Sequence, residues 1–243
     1  MRQEKRDPLW LNRREALKSL AVLSGAATLA SLPGEWVTPV IEIGVLPAHA
    51  QISSLPSLAC IEIGSKIDVM LALDKSGSIS ILEGIGVQEL DQAKVALISF
   101  VEGLDFSVDQ VGLVSFDSLP TLDQELTQDE NLIKAAINAV SRGGLTDIAG
   151  AIRLCKNELK SSRANSNNTP VIILLSDGTQ TVNGDPISEA NQAKNEGITI
   201  ITVAIRLSAD INTLRAIATK NSNFYFVPSP ADLITIFDPN CKL

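Results

Sequence analysis

Asp74, Ser76 and Ser78 stand two residues apart in the stretch Val69–Ser80, VMLALDKSGSIS, and offer one carboxylate and two hydroxyls. In an extended or turning backbone these three side chains can converge on one point. A set of hard oxygens of this kind suits Mg²⁺, Mn²⁺ or Ca²⁺ and does not suit softer metals. Three oxygens leave an octahedron unfilled, so further ligands are expected from other loops. Thr146 follows a glycine pair in SRGGLTDIAGAI, and Asp177 follows the apolar run VIILLS. Ser, Thr and Asp at such places more often serve as turn or helix-cap residues. The metal reading is therefore carried by three motifs together and by none of them alone.

The elements that would position these residues are legible from periodicity. The apolar segment 67–73 and the runs 110–118, 169–176 and 198–205 read as strands, with a last short strand over 224–227. Continuous apolar runs mark strands covered on both faces of a parallel sheet, whose ligand site lies beyond the carboxyl ends. Residues 120–126 can pair back as an edge strand, where Pro120 and its missing N–H do no harm. Helical spacing runs over 87–103 (Leu90, Ala93, Lys94, Leu97, Val101) and 129–140 (Leu132, Ile133, Ala136, Val140). It recurs over 147–159, 189–195, 210–219 (Leu214, Ile217 inward) and 231–237, where Leu233, Ile234, Ile236 and Phe237 form the expected packing face. Strands alternating with helices predict right-handed crossovers and an α/β fold: a doubly wound, mainly parallel sheet flanked by helices, with one antiparallel edge strand. Gly143 and Gly144 free the backbone to bring Thr146 close. Asp147 reads as an N-terminal helix charge. Asp117 and Asp123 read as solvated turn acids, and the polar loop 160–169 as a surface connection.

In this order, Asp74, Ser76, Ser78, Thr146 and Asp177 resemble the metal-ion-dependent adhesion site (MIDAS) of the von Willebrand factor type A (vWA) domain. That site is written D-x-S-x-S, then a Thr in a Gly-rich loop, then an Asp after a later strand. The resemblance covers about residues 60–241. It implies that Ser76, Ser78 and Thr146 touch the metal directly while Asp74 and Asp177 act through bound water. Neutral hydroxyls would leave the cation under-neutralised and ready to take an Asp or Glu carboxylate from a protein partner. Lys75 sets a cation beside these ligands, which weakens metal binding if its side chain turns inward and does not if it reaches to solvent. Bridges that close some members of the family imply a Cys60–Cys241 disulfide tying the two ends of the domain. Cys155, on a helix with Ile152 and Leu159, reads as a buried free thiol.

The chain carries 20 Lys and Arg against 28 Asp and Glu, a net charge of −8, with 45% apolar and 4% aromatic residues. The first 50 residues are close to balanced, so the acidity belongs to the body, which disfavours nucleic acid. Its single His is His49, and no P-loop, G-x-G-x-x-G or C-x-x-C pattern occurs. Histidine-based nucleophilic or acid–base chemistry, nucleotides and zinc therefore lack their residues, and no enzyme is expected.

Residues 1–50 read as an export signal. A basic head containing Arg13 and Arg14 precedes an apolar stretch, 20–32, too short to span a bilayer. NRREALK, residues 12–18, resembles the twin-arginine signal, with Asn12 and Ala16 departing from its Ser and Phe. A small-x-small site at Ala48-His49-Ala50 fits cleavage before Gln51. Residues 51–59 would be a Ser/Pro linker and 60–243 the vWA domain. The expectation is an exported periplasmic or extracellular protein, membrane-anchored only if the signal stays uncleaved, that binds a protein or matrix ligand through Mg²⁺, Mn²⁺ or Ca²⁺. The alternative is an assembly or scaffolding subunit in which the metal is structural.

Overall fold

The structure, a computed structural model, describes residues 66–77, 86–176, 179–205 and 209–237. The segments assigned to the export signal and linker, and Cys60, Ser78, Asp177 and Cys241, lie outside the described residues.

Six strands form one sheet: β1 (Ile67–Asp74), β2 (Gln110–Phe116), β3 (Thr121–Thr127), β4 (Thr169–Ser176), β5 (Thr199–Ile205) and β6 (Phe224–Val227). Their spatial order is β3-β2-β1-β4-β5-β6, with every pair parallel except β2 and β3. β3 is the antiparallel edge that Pro120 anticipates. Its register against β2 shifts twice, between Val111 and Leu113 and again before Val114. From β1 the chain first winds outward to β2 and β3, then returns to β4 on the other side. The order therefore reverses between β1 and β4, and in open parallel sheets the crevice at such a reversal is where ligands bind.

Helices cover both faces, and each face has its own core. On one side Val69, Leu71 and Leu73 of β1 pack against α1 (Gly86–Glu102), α2 (Glu130–Ala139) and the short α6 (Leu233–Ile236). On the other, Met70 and Ala72 face α3 (Ile148–Leu159), α4 (Pro186–Asn195) and α5 (Ile211–Ile217). The alternation of β1 side chains between two clusters is the period of a strand, which is why an unbroken apolar run marks a doubly covered one. α1 buries Leu90, Ala93, Leu97 and Val101, the face read from spacing. Two helices turn differently from expectation. In α2 Ile133 and Ile137 are buried while Leu132 is half exposed, and in the last helix Leu233, Ile236 and Phe237 pack inward while Ile234 points outward. Phe237 meets Phe100 of α1 edge-on, with ring centroids 5.6 Å apart.

The amino end of the sheet is tied by two buried carboxylates that the sequence reading overlooked. Asp68, inside the segment taken as apolar, accepts Asn165 N–H at 2.6 Å and the Asn168 side-chain amide at 2.8 Å. Asp109 accepts Ile67 N–H and Asp105 N–H, each at 3.0 Å. The Asn-rich loop after α3 is thus a fastening for β1 as well as a surface connection.

Glu158, 3% exposed on α3, receives a two-pronged bond from Arg163, both contacts at 2.7 Å, and accepts Leu126 N–H from β3 at 3.0 Å. The Arg163 bonds outweigh burial and hold the Glu158 carboxyl below its ordinary value. A carboxyl so lowered contributes stability fully above its unfolded value of about 4.5, and that contribution is lost as pH falls through the lower folded value. Glu158→Gln is expected to cost about 2 kcal/mol in urea unfolding at neutral pH. The gap to wild type should narrow progressively when the same unfolding is followed by circular dichroism as pH is taken below about 4.5. A gap that stays constant with pH would contradict the assignment.

Candidate functional site

The carboxyl end of β1 delivers Asp74, whose side chain has no exposed surface. Its Oδ2 accepts the Ser176 hydroxyl at 2.6 Å from the end of the neighbouring β4, and its Oδ1 accepts Ser76 N–H at 2.9 Å. Ser76 is 1% exposed and Thr146 3%. Three of the five residues expected to ligate a metal are thus described, and all three are buried polar groups at the reversal of the sheet, Asp74 at the end of β1 and Ser76 and Thr146 on loops. Ser78 and Asp177 are the other two; Asp177 directly follows Ser176 in the chain.

The loops are joined through their backbones. Gly143 N–H donates to Lys75 carbonyl at 2.9 Å, and Gly77 N–H donates to Gly144 carbonyl at 2.8 Å. The glycine pair is therefore laced to the D-x-S-x-S loop, and Thr146 comes two residues later. The glycines serve close approach here. A Cβ on Gly143 would run into the Asp117 carboxylate, and one on Gly144 would stand 2.6 Å from the Ser118 hydroxyl. Thr146 is held from the other side as well: its N–H donates to the Thr181 hydroxyl at 2.7 Å, and its carbonyl accepts Thr181 N–H at 3.0 Å. Gln180 completes this lacing. Its Oε1 accepts Ile148 N–H at 2.7 Å and Ala149 N–H at 3.2 Å, while Nε2 donates to Asp147 Oδ1 at 3.1 Å. Asp147 itself caps α3 through Gly150 N–H at 2.9 Å, the role read from sequence.

Asp117, half-buried and bonded within its own turn, is engaged beyond that turn as well. Its Oδ2 accepts Gly144 N–H at 3.1 Å, its Oδ1 accepts Leu119 N–H at 3.0 Å, and its carbonyl accepts Asp147 N–H at 2.8 Å. Burial alone would raise the Asp117 carboxyl, but those two N–H groups and the Lys75 charge overcome it and hold it low. The positive charge of Lys75 is thus felt by Asp117. Asp123, too, is engaged, accepting Ser115 N–H at 2.7 Å and the Thr121 hydroxyl at 3.0 Å. Sequence reasoning missed Gln180, Thr181 and Ser176 altogether. A signal for Ser176 was present, since it ends the same apolar run that delivers Asp177.

Next to this network a cleft of about 350 Å³ opens between the segment 179–187 and the start of α5, with Gln180, Asp185, Ile187, Asp210 and Thr213 in its wall. Asp185 and Asp210 cap α4 and α5 there. Among the described residues no group of three or more His, Cys, Asp or Glu is arranged to hold a metal. An ion at this end would draw on hydroxyls beside Asp74, a donor set for a hard divalent cation. Among the described residues, too, no helix is long and apolar enough to cross a membrane.

A sheet with this order, covered on both sides and carrying its polar loops at the β1/β4 reversal, defines an α/β domain of the vWA type. The family profile of the von Willebrand factor type A domain matches residues 68–239, and the chain belongs to that family. Among characterised proteins it is similar to the collagen alpha-4(VI) chain of Mus musculus, 28% identical over 183 residues, covering 70% of this chain and 7% of that one. The chain thus spans a small part of that relative's length. Among solved structures it resembles proximal thread matrix protein 1 from the mussel byssus, with a TM-score of 0.66, 22% identity, and 75% of this chain and 50% of that one covered. The same byssus protein has been solved with a zinc-occupied MIDAS motif, matching at a TM-score of 0.65, 22% identity, and 76% and 50% coverage. The vWF domain of the type V pili tip protein Mfa5 from Porphyromonas gingivalis matches at 0.62, with 18% identity and 74% and 95% coverage. At these identities the structural likenesses establish the fold.

Replacing Gln180 with Ala removes the acceptor for two N–H groups of α3. The expected cost is about 1–2 kcal/mol, or a fall in Tm of about 3–6 °C by calorimetry. A Tm unchanged within about 1 °C would show that these N–H groups find other partners.

Proposed function

We propose that this protein is an exported adhesion or ligand-binding protein whose vWA domain grips an acidic residue of a protein or matrix partner through a divalent metal. The observation that carries this reading is the burial of Asp74 at the end of β1, and of Ser76 and Thr146 on interlaced loops, at the sheet reversal. Burying polar groups is costly unless they are bonded or serve a ligand, and these belong to the D-x-S-x-S, Thr, Asp order of the family's metal site. In the proposed arrangement Ser76, Ser78 and Thr146 would ligate the ion, with Asp74 and Asp177 behind them through water. Mg²⁺, Mn²⁺ or Ca²⁺ would supply an unfilled coordination position that attracts a carboxylate. The role is one of binding, with no chemical step. Relatives named as a collagen chain, a byssus thread matrix protein and a pilus tip protein support an adhesive role outside the cytoplasm. The basic head and the A-x-A site of residues 1–50 support export to the periplasm or beyond.

The test has two arms. Calorimetric titration with Mn²⁺ should give saturable binding that Thr146→Ala and Asp74→Ala each weaken about tenfold or more. Capture from envelope extract on the immobilised protein should then return a partner in Mg²⁺ that EDTA releases. Binding of that partner with equal affinity in EDTA and by Asp74→Ala would rule the metal-bridged mode out in favour of metal-independent scaffolding.

A further inference from the structure

Building on the metal-binding role proposed above, we propose that Asp117 is a positioning residue for the metal site, fixing the segment Gly143–Asp147 so that Thr146 presents its hydroxyl at the end of β1. The two bonds it makes to this segment fall on either side of Leu145 and Thr146: the carboxylate takes Gly144 N–H, and the carbonyl takes Asp147 N–H. A peptide held immediately before and after a dipeptide leaves that dipeptide little freedom, and ligand placement within a fraction of an ångström is what metal affinity requires. The same segment is also laced to Lys75 and Gly77. Asp117 is thus one half of a clamp whose other half is Lys75 and Gly77.

Asp117 and Gly143 are a matched pair. The carboxylate fills the space that the missing Cβ of Gly143 leaves, so a side chain at 143 is excluded by the one at 117. Both carboxylate oxygens accept N–H groups, one in the glycine segment and one in its own turn at Leu119, which fixes the rotamer from two directions. Ser118 adds a third tie, its hydroxyl accepting Leu145 N–H at 2.8 Å. Asp123, a few residues on, makes similar bonds, but to Ser115 and Thr121 on the edge of the sheet. It offers a control of equal charge with no hold on Thr146.

The full-length chain and its Asp117→Ala, Asp117→Asn, Asp123→Ala and Gly143→Ala variants would be compared by hydrogen–deuterium exchange without metal and by Mn²⁺ calorimetry. Asp117→Ala should speed exchange across residues 142–148 and weaken Mn²⁺ about tenfold, with far-ultraviolet dichroism unchanged. Asp117→Asn keeps one carbonyl acceptor and should recover part of both losses. Asp123→Ala should alter neither. Gly143→Ala, whose Cβ runs into the Asp117 side chain, should weaken Mn²⁺ about tenfold. Wild-type exchange in Asp117→Ala overturns the proposal. So does faster exchange accompanied by wild-type Mn²⁺ affinity. A wild-type chain that binds no Mn²⁺ sinks the metal reading itself, and the clamp is then decided by exchange alone.

Discussion

An ionisable carboxyl with no exposed surface sits at the end of the central strand, and the rest of the structure accommodates it. Water would solvate Asp74 far better than an aliphatic sheet does, so its burial demands hydrogen bonds at fixed positions. The Ser176 hydroxyl and Ser76 N–H provide two. The first requires β1 and β4 to be adjacent and in register up to their carboxyl ends, as they are from Ile67 opposite Thr169 to Leu73 opposite Leu175, one residue short of Asp74 and Ser176. The second requires the chain to turn at once after the strand. Sheet order, register and the first loop therefore answer to one side chain.

The two ends of β1 solve related problems in opposite ways. At the amino end Asp68 and Asp109 accept donors from the backbone and from Asn168, and their bonds fasten the strand to the loops around it. At the carboxyl end the polar groups lie on loops laced to one another, beside an open cleft. Carboxylates that only staple and carboxylates placed for a ligand can have similar burial. What separates them is whether the surrounding oxygens are gathered toward one face at a topological reversal.

Most of the fold was legible because the strands are doubly covered and hence unbroken in hydrophobicity, and because the helices between them repeat at helical spacing. Leu132 and Ile234 were misassigned to inner faces, for neighbouring positions on a helix differ by only 100° and a short apolar cluster fits two orientations. Asp68 escaped notice since one polar residue in an apolar run carries no periodicity. In the site, Asp74, Ser76 and Thr146 could be found by motif order, and Asp147 by its place before a helix. Asp117, Gln180 and Thr181 could not. The partners that tie them to the site are mostly backbone N–H and carbonyl groups about 30 positions away along the chain, and main-chain groups leave no mark in a sequence.

Cys155 lies sealed beneath α3 among Ile152, Leu159 and the sheet, and burial pushes its thiol well above the usual range. Only the thiolate attacks a disulfide, so in the folded domain this sulfur neither exchanges nor oxidises readily. Any wrong bridge it could form must arise before α3 docks. In an oxidising compartment the domain is therefore exposed to mispairing only during the interval in which it folds, and afterwards its own packing protects the sulfur.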